Sequence, residues 1–185
     1  MKNALRKAGL DTEVTSETSR IKSADAVVLP GVGAFGPAAR NIAPLKSTIM
    51  ETRKRGAPIL GSCLGMQLFF DHSEESPGDG LSLLRGDVVR FRGEVKVPHM
   101  GWNTLKVLRE NELLEGISEN DYFYFVHSYY AGPRDAEVTV ANTSYSLDFP
   151  SVVASENLYG TQFHPEKSGK PGAILLRNFA DILKR

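Results

Sequence analysis

Residues 57–70 read Ala-Pro-Ile-Leu-Gly-Ser-Cys-Leu-Gly-Met-Gln-Leu-Phe-Phe. An apolar run with strand character leads into Gly61-Ser62-Cys63-Leu64-Gly65, and an apolar helix pattern is expected over 64–70. Glycine two residues before and two residues after Cys63 permits the sharp strand-turn-helix bend that lifts a nucleophile clear of a sheet. The thiol then sits at a helix N-terminus, where unpaired N–H groups and the helix dipole favour thiolate over thiol. The same amides, Leu64 above all, can stabilise an oxyanion. A lone cysteine is more often a small buried hydrophobe; the paired glycines tip the reading toward a nucleophile.

Outward from this stretch the chain alternates helices with short apolar strands. Residues 1–9 pattern as the end of an amphipathic helix, with Gly9 where a left-handed cap belongs. Ala26-Val27-Val28-Leu29 reads as a strand buried on both faces and ended by Pro30 and Gly31. A helical spacing over 45–55 stops at Gly56, before the strand that leads to Cys63. This alternation predicts an α/β fold with a parallel sheet covered on both faces. From Gly86 the texture becomes β-rich, with runs at 88–91, 122–126, 138–141, 152–155 and 159–163, and a helix around 174–183 closes the chain. The polar stretch 71–80 reads as a surface loop.

Composition narrows the function classes. A chain of 185 residues predicts one domain with a sizeable core. Twenty-two Lys and Arg against 22 Asp and Glu, with no long basic run, imply neither a nucleic-acid nor a membrane partner. The polar start and the absence of a long apolar stretch read as cytoplasmic. One cysteine excludes an internal disulfide and any multi-cysteine metal site.

A nucleophilic cysteine needs a base. Of His72, His99, His127 and His164, the last is best placed: it ends the run Tyr159-Gly160-Thr161-Gln162-Phe163, and Pro165 and Glu166 follow it. Proline biases His164 to an extended backbone, which would point Glu166 the same way and let it orient the imidazole. His72 falls in the polar loop, His127 ends an aromatic run that reads as core, and His99 precedes Met100-Gly101-Trp102-Asn103, which could be an ordinary turn or a partner surface. Pro30-Gly31-Val32-Gly33 lacks the Gly-Lys-Ser/Thr ending of a phosphate loop. At the carboxyl end of its strand it would share the sheet edge with Cys63 and could supply a second oxyanion donor.

Five segments together resemble a known family: Pro-Gly-Val-Gly-Ala-Phe (30–35), Gly-Ser-Cys-Leu-Gly-Met-Gln (61–67), Pro-His-Met-Gly-Trp-Asn (98–103), Tyr-Phe-Val-His-Ser-Tyr (124–129) and Gly-Thr-Gln-Phe-His-Pro-Glu-Lys-Ser (160–168). They are similar to the class I glutamine amidotransferases, and the 98–103 segment resembles the glutaminase subunits of imidazole glycerol phosphate synthase. The resemblance implies one amidotransferase domain over 1–185 with a flavodoxin-like three-layer fold and a mostly parallel central sheet. It implies a Cys63, His164, Glu166 triad acting on L-glutamine. Gln67, Glu75 and the backbone of Ser128 and Tyr129 would hold the substrate, with Gly31, Val32, Gly33 and Leu64 around the oxyanion. It implies no cofactor and no metal. The partner would be a βα-barrel cyclase subunit that receives the ammonia in a heterodimer serving histidine biosynthesis, with His99, Met100, Gly101, Trp102 and Asn103 at or near the interface.

Two departures from the family pattern stand out. A first strand and Gly-Asn turn usually precede the helix that here begins at Met1, so the expected fold lacks a central strand and exposes its neighbours' edges. Ser62 stands where an aliphatic residue is usual, and a hydrogen bond would be needed to tolerate it. The glutaminase of another synthase, such as that of pyridoxal phosphate synthesis, a non-catalytic module on the same fold, and a cysteine peptidase are the competing readings. Gln67 and Glu75, suited to a carboxamide substrate, argue against the peptidase.

Overall fold

The computed structural model describes residues 1–184. In chain order the elements are α1 (Lys2–Lys7), α2 (Thr18–Ser23), β1 (Val27–Gly31), α3 (Phe35–Ile42), α4 (Lys46–Lys54), β2 (Ile59–Cys63), α5 (Leu64–Gln67), β3 (His72–Ser73), β4 (Gly86–Arg90), β5 (His99–Asn103), β6 (Lys106–Val107), β7 (Phe123–His127), β8 (Tyr129–Pro133), β9 (Thr139–Tyr145), β10 (Leu147–Ser155), β11 (Leu158–Thr161) and α6 (Gly169–Ile182). The central sheet has the order β1-β2-β11-β10-β9-β6. A three-stranded sheet, β3-β4-β8, and the β5-β7 pair complete the strands.

Alternation along the central strands builds three layers. Ile59, Val153 and Leu158 pack into one apolar cluster with Phe35, Phe69 and Ile49. Their chain neighbours Leu60, Val152 and Tyr159 pack into the other, with Leu5, Leu175, Leu176 and Phe179. Successive strand residues point to opposite faces, so one apolar run feeds both cores and must be covered by helices on each side.

Parallel pairing is confined to the half that carries the glycine turns: β1 with β2, and β2 with β11. The other half is antiparallel, β11-β10-β9-β6, with β9, β10 and β11 joined by hairpins that need no crossover helix and β6 added beside β9. The register sets Gly31 beside Cys63 and Ser62 beside Thr161, so the carboxyl ends of three strands meet on one edge. An α/β sheet presents its site at such an edge.

Three local expectations need correction. Residues 27–31 form a half-buried edge strand rather than one buried on both faces, because β1 pairs only with β2. The strand runs through Pro30, and an edge tolerates a residue without a ladder donor. The helix after Cys63 is a single turn, 64–67, rather than 64–70. Leu81 donates to the Leu68 carbonyl, and Leu83 and Leu84 to that of Phe69, which diverts the chain from further helix. Residues 99–103 are a strand paired in register with 123–127, not a turn. At the amino end, Gly9 has φ 92°, with its N–H on Arg6 and the Leu10 N–H on Leu5, the glycine cap expected there. No helix among the described residues is long and apolar enough to cross a membrane.

Candidate active site

Cys63 joins β2 to α5 at φ 54° and ψ −111°, a conformation that costs a non-glycine residue about 1–3 kcal/mol. Three glycines allow the surroundings to hold it there. A Cβ on Gly61 would lie 2.6 Å from the Phe69 ring, and one on Gly65 would lie 1.7 Å from the Leu29 carbonyl oxygen. One on Gly31 would meet the Leu64 side chain at 2.6 Å. Backbone therefore closes on backbone around the thiol, and β1 fixes the elbow from the side. Ser62 is buried and its hydroxyl donates to the Phe163 carbonyl at 3.5 Å, which meets the hydrogen-bond requirement for a polar residue there.

His164 follows β11 with extended backbone, φ −99° and ψ 97°. Glu166 does not continue that extension. Pro165 starts a 3-10 turn over Pro165–Lys167, and the carboxylate folds back so that its oxygen lies 3.2 Å from His164 Nδ1. Burial opposes charge on His164. The Cys63 sulfur, as thiolate, and the Glu166 carboxylate outweigh it, and its pKa rises to about 9. With Nδ1 held by Glu166, buried Nε2, which makes no hydrogen bond of normal length among the described residues, is the ring nitrogen left to exchange a proton with Cys63. Burial would raise the Glu166 pKa, and the bond and charge of His164, with its own backbone N–H, bring it below the ordinary value. Ser168 braces the turn: its hydroxyl donates to the His164 carbonyl at 2.7 Å and accepts the Tyr124 N–H at 3.0 Å.

Behind the thiol lies a carboxamide pair. Gln67 Nε2 donates to the Tyr129 carbonyl at 2.9 Å and to Gln162 Oε1 at 3.2 Å. Gln162 Nε2 in turn donates to Cys63 Sγ at 3.7 Å. Both Gln67 protons are engaged, so its carbonyl oxygen is the group with acceptor capacity left. Sequence reasoning passed over Gln162 and Ser168. The available signal for Gln162 was its place two residues before His164 in an extended run, which puts both on the same side. Glu75 reaches across from the 71–80 loop and accepts the Phe35 N–H at 2.6 Å, and Ser76 accepts that of Gly36 at 2.8 Å, so the loop caps α3. Ser128 sits between β7 and β8, where its carbonyl accepts the Phe91 N–H at 3.2 Å, and Tyr129 starts β8 with its carbonyl on Gln67.

Leu64, as the first helical residue, has no intrahelical partner for its N–H. Gly31 ends β1, Val32 is 79% exposed, and Gly33 takes φ 104°. The turn that carries them lies beside Cys63 by register.

The model of the class I glutamine amidotransferase family matches residues 1–182. The imidazole glycerol phosphate synthase subunit HisH of Methanothermobacter thermautotrophicus is 49% identical over 98% of this chain and 91% of its own. That of Archaeoglobus fulgidus is 50% identical over the same shares of the two chains. This chain belongs to the class I glutamine amidotransferases, among the HisH subunits. The fold agrees: the glutaminase domain of Trypanosoma brucei CTPS superposes with a TM-score of 0.70 at 16% identity, over 99% of this chain and 86% of that one.

In this HisH chain the 99–103 strand alternates. Met100 is 62% and Trp102 56% exposed, and Trp102 meets Tyr124 edge-on at 5.8 Å beside exposed Tyr122. Gly101 is half-buried between them. His99 and Asn103 turn the other way, and His99 is buried against His127. Period-2 alternation splits the five residues between an outward face and the interior. His72, expected in a polar loop, lies exposed in the short strand β3, 3.2 Å from Asp79.

Proposed function

We propose that this chain is the glutaminase subunit of imidazole glycerol phosphate synthase, with Cys63 as nucleophile, His164 as proton carrier and Glu166 as the group that orients and charges His164. The reading rests on one observation above the others: a strained, glycine-enclosed cysteine beside a histidine that a carboxylate holds in its proton-binding state. The Cys63 sulfur attacks the side-chain carbonyl carbon of L-glutamine, and the displaced electron pair moves to the carbonyl oxygen. The Leu64 N–H and an amide of the Gly31–Gly33 turn receive that oxygen. His164 delivers a proton to the departing nitrogen, so ammonia leaves and a glutamyl thioester remains. Water then attacks the thioester, His164 takes its proton, and glutamate and free thiol are released.

Gln67 offers its oxygen, the Ser128 and Tyr129 segment its backbone, and Glu75 its remaining carboxylate oxygen to the polar ends of glutamine. Ammonia released into water at neutral pH is mostly protonated and no longer nucleophilic. It is therefore delivered directly to a βα-barrel cyclase subunit that makes imidazole glycerol phosphate and aminoimidazole carboxamide ribotide in histidine biosynthesis. Met100 and Trp102 give the docking face of this heterodimer an aromatic anchor. Acid quench of the complex during turnover of labelled glutamine tests the chemistry. A glutamyl adduct should map to Cys63 by mass and be missing from Cys63→Ala; label on another residue would overturn the assignment.

A further inference from the structure

His99, His127 and Asn103 take no part in the chemistry above, yet they form a buried polar chain that ends on the carbonyl holding Gln67. His127 Nδ1 lies 2.8 Å from the Tyr129 carbonyl oxygen. A carbonyl only accepts, so Nδ1 carries the proton and Nε2 is bare. His99 Nδ1 lies 3.0 Å from that bare nitrogen and must therefore donate to it, which leaves His99 Nε2 bare as well. Facing it at 3.4 Å is Asn103 Nδ2. The Asn103 amide is oriented independently: Oδ1 accepts the Thr104 N–H at 2.9 Å, and Nδ2 also donates to the Ser144 carbonyl at 3.0 Å. Every bond thus runs one way, from Asn103 through His99 and His127 to Tyr129.

Packing holds the chain in that sense. His99 stacks against Tyr145 at 4.0 Å and Phe125 at 4.9 Å between centroids, and Phe91 and Phe149 crowd His127 at 5.3 and 5.1 Å. Burial among these rings keeps both imidazoles uncharged at neutral pH. A second proton on either ring would set N–H against N–H and break the chain.

We infer that the Asn103-His99-His127 chain is a positioning device for the glutaminase reaction: it fixes the Tyr129 carbonyl that orients Gln67, and through Gln162 the sulfur of Cys63. The Tyr129 oxygen receives two donors, His127 Nδ1 and Gln67 Nε2, which saturate its lone pairs. Gln67 spends its second proton on Gln162, which donates to the sulfur. One continuous set of hydrogen bonds therefore leads from β5, the strand that bears Met100 and Trp102, to the nucleophile. Loss of the His127 donor lets the Tyr129 carbonyl and the Gln67 amide turn, so the glutamine carboxamide is held less well and attacked from poorer geometry. The inference rests on the glutaminase reading given above.

Two measurements on the complex with the cyclase test it. His127→Phe keeps the ring and removes the donor, whereas His127→Asn keeps an N–H near the Nδ1 position. The Phe variant should raise the KM for glutamine on the order of tenfold and lower kcat, and the Asn variant should recover much of both. Nitrogen-proton correlation spectra of the free chain should show both histidines in the Nδ1–H tautomer, the minor form of imidazole in water. In His99→Phe, His127 should lose that single tautomer. A folded His127→Phe variant with wild-type KM and kcat, or an Nε2–H tautomer on His127 in the wild type, overturns the inference while the glutaminase reading stands. A wild-type complex that hydrolyses no glutamine overturns both.

Discussion

Acid should unfold this protein along a steep, calculable slope. Burial holds His99 down to about 4 and His127 to about 3, the latter despite its bond to the Tyr129 carbonyl and with further depression from the nearby His99 and His164. In the unfolded chain both return to the ordinary 6.5. Depressed folded values mean that the stability of the neutral pair is complete above 6.5 and is lost as pH falls from there toward 4. Near pH 5 the unfolded chain binds almost two protons more than the folded one, a slope of ~2–3 kcal/mol per pH unit. His164, with its raised pKa, is protonated in both states there and adds nothing to the slope. Integrated from about pH 6.5 to about pH 5, the pair loses ~3 kcal/mol, a large part of the ~5–15 kcal/mol typical of a domain. Urea unfolding followed by circular dichroism across this range, on the wild type and on a His99→Phe/His127→Phe double variant, measures it directly. A wild-type slope under ~1 kcal/mol per unit, or a double variant with the wild-type slope, would refute the reasoning.

Other consequences follow from the same geometry. Gly65→Ala drives a methyl into the Leu29 carbonyl and should destabilise by roughly 3 kcal/mol or more in chemical denaturation, with glutaminase activity lost as β1 is pushed off the elbow. Glutaminase activity should decline as pH rises through about 9, where His164 gives up the proton that the departing ammonia needs, and the stability contributed by that proton, complete below 6.5, is lost over the same rise. Glu166→Gln removes a carboxylate that supports this proton, so the alkaline limb of the rate profile should move to lower pH and kcat should fall roughly 10–100-fold. Trp102→Ala should raise the Kd for the cyclase on the order of tenfold or more by calorimetry.

The elbow was legible because its chemistry is local: glycines at 61 and 65 around Cys63 specify a turn whatever the rest of the fold does. The alternation of short apolar runs with helices likewise pointed to a layered α/β fold, and the register that sets Gly31 beside Cys63 follows from the same parallel half. Where sequence reasoning went astray, the cause lies in long-range partners. The helix at Cys63 ends after one turn because residues 81–84 take the carbonyls of Leu68, Phe69 and Phe70, which follow it. The 99–103 segment carries glycine and asparagine and leaves a turn or a partner surface open, but pairing with β7 makes it a strand and buries His99. The Glu166 reading relied on an extended backbone that Pro165 in fact bends into a 3-10 turn, yet the carboxylate still meets His164. Gln162 was passed over because its one local signal, a place two residues before His164, does not say what lies opposite; only the fold brings it to the sulfur.

Glutamine hydrolysis by the purified chain, with and without the cyclase subunit and its nucleotide ligand, and with Cys63→Ala in parallel, tests the central claim most directly. The account predicts low activity alone, strong stimulation by the liganded cyclase, and none in any mixture containing Cys63→Ala. A rate that the cyclase leaves unchanged, or activity that survives the loss of the thiol, would contradict it.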